Sequence, residues 1–277
     1  MIKKKVQKSS NTSFKKTINN KLSIQFNLDG FSFCISNSTT NKDIFFSEYL
    51  FKETITTPEQ LLSKIKDIFK TDKNLQYDFS SVLVIHQNAL SCLVPNEYFN
   101  ENKLESYLSY NIKSLTTDYI TFDNLEILKC KNVYIPYVNI NNYIFQNFGE
   151  FEYKHHSTVL IEKLISIKNG QEKKMYLNVS KTSLDIFIFE KNRLLFYNSF
   201  NYSSKEDFIY YILFTAEQLK LDTENLAVFF LGDIEKDSET YKIAYKYIRN
   251  INFLESNNPI FNQINASKHS NFTLLGL

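Results

Sequence analysis

Glycine is scarce in this chain, at 5 of 277 residues, roughly 2% against an average near 7%. Loops that cradle nucleotide phosphates rely on glycine, because a residue without Cβ lets backbone N–H groups come close to the ligand. No G-x-S-x-G, Walker or G-x-G-x-x-G pattern occurs. Arginine is nearly missing too, with Arg193 and Arg249 the only two, so bidentate contacts to phosphate or guanine are few. Together these shortages argue against dedicated phosphate chemistry. The three cysteines, Cys34, Cys92 and Cys130, are odd in number and far apart. They read as buried free thiols of a reducing compartment, and neither Cys34 nor Cys92 has a recognisable histidine partner that would make it a nucleophile. No run approaches the ~18 apolar residues of a membrane span; the longest, FIYYILF at 208–214, sits inside an amphipathic pattern. The basic N-terminus lacks a following apolar stretch, so no secretory signal is expected, and a cytoplasmic protein is.

What the chain does have is apolar and aromatic material: 43% hydrophobic residues, 25 Phe and 18 Tyr, with 22% charged. That is the profile of a globular protein with an aromatic core, long enough for two domains. Residues 1–20 carry Lys3, Lys4, Lys5, Lys8, Lys15 and Lys16 and no acid. With Lys21 that is seven positive charges against a whole-chain net of +2, leaving −5 on the rest. The expectation is a solvated, disordered tail. An electrostatic arm for RNA or an anionic membrane is the alternative, although the aromatic interleaving of single-strand binders is missing.

Two stretches repeat one plan. The first runs LSIQFNL (22–28), Asp29-Gly30, FSFCISN (31–37) and DIFFSEYLF (43–51), which predicts three strands with a tight Asp-Gly turn between the first two. Bulky residues on both faces of 43–51 suggest a sheet covered on both sides. Thr57-Pro58-Glu59-Gln60 opens a helix with Leu61, Leu62, Ile65, Ile68 and Phe69 on one stripe. SVLVIHQ (81–87) follows as a buried strand, parallel to the first. An insertion is expected over about 95–130, with a helix near Leu104–Leu115. Then NVYIPYV (132–138), a helix through Ile140, Ile144, Phe145 and Phe148, FEYKH (151–155), and a helix through Val159, Leu160, Leu164 and Ile167 complete the unit, with Asn169-Gly170 as its C-cap. The polar run 171–174 marks the boundary, giving domains at 21–172 and 173–277.

The second stretch is more compact: MYLNVSK (175–181), SLDIFIFE (183–190) and RLLFYNSF (193–200) as strands, turning at Lys181-Thr182 and Lys191-Asn192. Ser203-x-x-Glu206 predicts a capping box before a helix lined by Phe208, Ile209, Ile212, Leu213, Ala216 and Leu219. LAVFFLG (226–232) is a buried strand, Glu239–Ile248 a helix and NFLE (252–255) a last strand.

This duplicated β-β-β-α-β-α-β order is the plan of the actin-like ATPase, ribonuclease H-like, α/β fold. The segments LSIQFNLDGFSFCIS, PYVNINNYIFQNFGEFEYKHHSTVLIEKL and VSKTSLDIFIFEKNRLLFYNSF resemble an uncharacterised bacterial family of domain-of-unknown-function proteins, over roughly 20–277. The layout of 132–165 is also similar to actin-like pilus-assembly scaffolds. The resemblance implies an actin-like fold without an assigned activity. In active members of that fold ATP lies between the domains, held by two phosphate hairpins, each bearing Asp-x-Gly, and an adenosine loop. Aligned by strands, the first hairpin here has Gln25 in the Asp slot and Asn27 in the Gly slot, and the second has Asn178 and Ser180. The Gly-Gly of the adenosine loop is reduced to Gly232-Asp233. A neutral amide serves neither as general base nor as an anionic magnesium ligand.

Other candidates read as structural. His155-His156 would point to opposite faces of a strand, and no Cys/His/carboxylate cluster of ligand spacing lies nearby, so no metal site is expected. His86 ends a buried strand and reads as a satisfied core histidine. Acids at 205–208 and 234–240 complement helix starts, and YKIAYKYIR (241–249) reads as a helix with a solvated Lys/Tyr face. The expectation is therefore a non-catalytic binding or scaffolding protein on a degenerate actin-like fold, without a cofactor. Another protein would meet it at the interdomain cleft or at the insertion. The alternative is a nucleotide binder or slow ATPase with a non-standard site.

Overall fold

The computed structural model describes residues 2–7, 19–167, 170 and 172–276. By contacts the chain divides into two units, Met1–Val159 with Asn258–Asn265, and Leu160–Asn257 with Ala266–Leu277. Each is described by itself.

The first unit is built on a six-stranded sheet. Its strands are β1 (Ile2–Gln7), β2 (Asn20–Phe26), β3 (Gly30–Asn37), β4 (Asp43–Phe51), β5 (Ser81–His86) and β9 (Glu152–His155), in the order β1-β4-β3-β2-β5-β9. β2 pairs antiparallel with β3 and parallel with β5, and β5 parallel with β9. The alternation in β2 puts Leu22, Ile24 and Phe26 on one face. On that face lie the stripe of α1 (Pro58–Thr71) with Leu61, Ile65, Ile68 and Phe69, and Ile140 and Ile144 of α3 (Val138–Phe148). Thr57 caps α1, its hydroxyl accepting from the Gln60 amide. Phe145, expected on the inner face of α3, is 60% exposed: the stripe through Ile140 and Ile144 turns it outward.

Three sequence expectations change here. The tail is not disordered throughout, since Ile2–Gln7 forms a strand antiparallel to β4, Ile2 opposite Phe51 and Gln7 opposite Phe46. Residues 8–18 lie outside those described. The Asp29-Gly30 turn sits elsewhere: the loop is Asn27–Asp29, closed by the Asn27 amide donating to Gly30 O at 3.1 Å, and Gly30 already begins β3. Glycine is needed there for closeness, because a Cβ would lie 2.7 Å from the carbonyl oxygen of Tyr49. Finally, the insertion is wider than 95–130. β6 (Ser91–Pro95), β7 (Thr121–Leu125) and β8 (Cys130–Tyr134) form a separate sheet ordered β6-β8-β7, so the strand expected over 132–138 belongs to the insertion. Its helix is the short α2 (Leu104–Leu108), and Val94, Leu108, Val133 and Ile135 make its own small core.

α4 (His156–Ser166) carries the chain into the second unit; Asn169 of the expected cap and Gln171 of the expected boundary lie outside the described residues. The second sheet contains β10 (Lys173–Val179), β11 (Ser183–Glu190), β12 (Arg193–Asn201), β13 (Ala227–Gly232) and β14 (Asn250–Phe253), ordered β12-β11-β10-β13-β14. Strand for strand this matches β4-β3-β2-β5-β9, which establishes the internal duplication. Met175, Leu177, Val179, Ile186, Ile188 and Val228 pack with Phe208, Ile209, Ile212 and Ala216 of α5 (Lys205–Gln218) and Ala244 of α6 (Glu239–Tyr247). The capping box of α5 is Ser204 with Asp207, one residue later than expected: each side chain accepts from the other's backbone amide. A four-residue helix, α7 (Phe272–Leu275), closes the described chain.

Candidate functional site

In the first unit, β2 holds Gln25 half-buried, and its Nε2 donates to Gln87 Oε1 at 2.5 Å. Gln87 follows β5 and is tied back to β2 by its own amide, which donates to Phe26 O at 3.1 Å. The Asp slot of this hairpin is thus an amide bonded to another amide. Asn27, in the Gly slot, turns its side chain into the loop, where Oδ1 accepts from the amides of Asp29 and Gly30, both at 2.8 Å. Two adjacent N–H groups aimed at one point are the geometry that receives an anion. Here the chain's own side-chain carbonyl occupies that point.

The second hairpin is more deeply buried. Asn178 Nδ2 donates to Asp185 Oδ2 at 2.8 Å, and the two residues face each other across β10 and β11. Asp185 is 1% exposed and Asn178 5%. This contact holds two strands together. The Ser180 amide donates to Ser183 O at 2.8 Å, and Ser180 O accepts from the Tyr202 hydroxyl at 2.5 Å. At the end of β13, Gly232 has φ +88°, and a Cβ there would lie 2.2 Å from Val179 O and 3.0 Å from Asn178 Oδ1. Its amide donates to His269 O at 2.8 Å, and that of Asp233 to Val179 O at 2.7 Å. His269 Nε2 donates to Ile234 O at 2.6 Å, and its ring lies 4.3 Å from that of Phe253. Sequence reading left the C-terminal segment open; the structure makes His269 the piece that fastens it to the Gly232 loop. Asp185 was legible as the acid inside the apolar run LDIFIF (184–189), and Gln87 had no signal beyond its place at the end of a strand.

The remaining candidates are structural. His86 accepts the Tyr137 amide at Nδ1 and donates from Nε2 to Asn141 Oδ1 at 2.9 Å, which fixes it as a neutral ring. Burial holds its pKa down at about 4. His155 likewise donates from Nε2 to Asn88 O and accepts at Nδ1 from the Ser157 hydroxyl at 2.7 Å, and burial holds it well below the usual range. Ser157 is fully buried, so this pair presents no nucleophile to a substrate. Around it, Asp123 of the insertion accepts from the His155 amide at 2.8 Å and from the Tyr134 hydroxyl at 3.0 Å. Burial raises Asp123 to about 6 against these hydrogen bonds. Asn132 adds donors to Ser157 and Thr158, both at 2.9 Å. This polar cluster pins the inserted sheet to the end of β9; sequence reading missed it because its members are scattered from 88 to 158. Burial also pushes up the Cys92 thiol, and that of Cys130 to about 11, leaving little thiolate. Among the described residues no group of three or more His, Cys, Asp or Glu is arranged to hold a metal ion, and no helix is long and apolar enough to cross a membrane.

A crystal structure from Bacteroides thetaiotaomicron VPI-5482, described as a protein with actin-like ATPase fold and unknown function, superposes with a TM-score of 0.82 at 24% identity. It covers 95% of this chain and 97% of that one. The PilM–PilN type IV pilus biogenesis complex matches with a TM-score of 0.55 at 10% identity, over 90% of each chain. These likenesses establish the actin-like ATPase fold. No curated protein matches the sequence. The family model described as protein of unknown function (DUF3822) matches residues 9–251, and this chain belongs to that family.

Proposed function

We propose that this protein is a non-catalytic binding or scaffolding module that has kept the actin-like core and given up its nucleotide chemistry. One observation carries the reading. The amides of Asn27, Asp29, Gly30, Ser180, Gly232 and Asp233, at the three loops that would meet phosphate and adenosine, all donate to acceptors within the chain. A phosphate would have to displace those acceptors before it could bond any of these six amides, at about 1 kcal/mol net for each one replaced. The amides at Gln25 and Asn178 add no anionic ligand for magnesium.

The partner is a protein, in a cytoplasmic setting, met by the inserted subdomain. In support, Tyr98, Tyr110, Leu115, Tyr119 and Ile127 are all more than half exposed there, over a core of only a few residues, and exposed apolar clusters mark association sites. A neighbour of this fold is described as a complex with a second pilus protein.

The test is the thermal midpoint with and without millimolar magnesium and ATP. A ligand at 100 times its dissociation constant adds about 2.7 kcal/mol, a shift of several degrees. No shift is expected, and a clear one overturns the reading. Complementation of a deletion strain tests the partner: Tyr110→Lys with Ile127→Lys should abolish rescue while Gln25→Ala retains it, and the reverse result refutes the proposal.

A further inference from the structure

The Tyr/Lys face of α6 has no part in the hairpins or the inserted subdomain. Tyr241 and Tyr245 are four residues apart, as are Lys242 and Lys246, so on a helix they make two neighbouring stripes, one aromatic and one basic. The aromatic stripe is the outer end of a column of rings. His269 lies 4.3 Å from Phe253 with 33° between planes, Phe253 5.5 Å from Tyr241 at 11°, and Tyr241 6.0 Å from Tyr245 at 20°. The column begins on buried His269 and ends on Tyr245, which is 65% exposed.

The basic stripe borders a hollow of about 680 Å³ that Tyr245 and the exposed Tyr247 also line. Lys205, Lys236, Lys242 and Lys246 stand around it against Glu206 and Glu239, a surplus of positive charge. Glu239 is shared by Lys205 at 3.1 Å and Lys242 at 3.0 Å; among the described residues Lys236 and Lys246 are in no ion pair. Past Lys236 the sign reverses, because Glu235, Asp237 and Glu255 outnumber Lys236 and Lys268 around a second hollow. An anion is thereby confined to the α6 side.

We infer that this face of α6 binds single-stranded nucleic acid, a base stacking on Tyr245 and the phosphates lying along Lys242 and Lys246. Two features together choose the occupant. The surplus of lysine selects an anion, which an acidic peptide or free phosphate would also satisfy. A column of near-parallel rings that ends in solvent selects a flat group, and a nucleotide joins a flat ring to a phosphate in one unit. Neither arginine of the chain lines the hollow, so bidentate readout of guanine is missing and the binding tolerates any sequence. This surface belongs to the second unit and shares no lining residue with the hairpin slots or the inserted subdomain, so its failure leaves the proposed function standing.

The experiment is fluorescence anisotropy of the full chain with end-labelled single-stranded oligothymidine and oligouridine, each about twelve nucleotides long, from about 50 to 200 mM salt. Saturable binding of either is expected, its affinity falling with salt at a log–log slope of about −0.7 per phosphate, hence about −1.4 for two. Tyr245→Ala should weaken binding at least about fivefold, and Tyr245→Phe should keep it. Lys246→Glu should weaken it and flatten the slope by about 0.7. A wild type that binds neither oligomer at the lowest salt overturns the inference. So does Tyr245→Ala binding as tightly as wild type, or polyglutamate competing as well as the oligonucleotide, since either would leave charge alone at work. A melting shift with magnesium and ATP that Tyr245→Ala abolishes belongs to this surface, and one that it leaves belongs to the hairpins.

Discussion

The two units share five strands in one order, a bulge at the same place in the third strand, and a helix leading into a parallel fourth strand. Where they part is at edges and strand ends. The first adds β1 outside β4 and a three-stranded sheet after β5; among the described residues the second adds neither. β5 ends on buried His86, opposite Phe26, whereas β13 ends on Gly232, opposite Val179. The hairpin slots also differ, an amide pair in the first and an amide–carboxyl pair in the second. Duplication has kept the hydrophobic layer, where each position is constrained by many neighbours. It has let strand ends drift to whatever satisfies the local hydrogen bonds, and those ends are where an actin-like enzyme keeps its chemistry.

The contrast between His86 and Gly232 is the sharpest point at which to break this comparison. Gly232→Ala has to adopt φ near +88° and place a Cβ 2.2 Å from Val179 O. Strain of that kind costs about 1–3 kcal/mol before any clash is counted. The expected outcome is a loss of at least about 3 kcal/mol in urea unfolding, confined to the second unit and read by hydrogen exchange over 226–232. A neutral effect would mean that the Gly232 loop is not held as described.

Acid should act on the other unit. His86 has a folded-state pKa near 4 against 6.5 unfolded. The unfolded chain therefore binds more protons between those values, and the stability present above pH 6.5 is lost as pH falls toward 4. His155 acts in the same direction. Asp123 acts oppositely: raised from 3.8 to about 6, it gives the folded state more protons in that window, so stability is gained as pH falls through 6. The full His86 and Asp123 shifts correspond to roughly 3 kcal/mol each. Asp123→Asn should steepen the loss of protection over 81–87 between pH 6.5 and 4, and His86→Gln should flatten it. A variant pair with the wild-type slope would refute the assignment.

How much of this was legible beforehand depends on how local the cause is. Alternation in 22–28 and 183–190 and the apolar stripe after Thr57 are short-range patterns, and they gave strands and helix where the structure has them. The slots at Gln25, Asn27, Asn178 and Ser180 followed from the resemblance of the hairpins to the actin-like pattern. β1 was illegible because IKKKVQ has only two apolar residues, and its strand character comes from backbone pairing with β4 some forty positions away. The Asp29-Gly30 turn failed because Asn27, two residues earlier, captures both amides with its side chain. The cluster around Asp123 and His155 exists only once the insertion has closed onto β9.

The hairpin amides supply the finest comparison. Asn178→Ala removes a buried donor to a carboxyl that is 1% exposed, and a hydrogen bond of that class contributes about 2 kcal/mol. Gln25→Ala removes a half-buried amide–amide bond, expected to cost about 1 kcal/mol. Urea midpoints at unchanged m-value measure both. Adding Asp185→Asn to Asn178→Ala should recover part of the larger loss, since a neutral amide costs less to bury than a carboxylate that has lost a donor. If these side chains now brace their hairpins, the two costs keep that order and appear in stability alone. Equal costs, or none, would mean the hairpins stand without them and the amides are placed for something outside the chain.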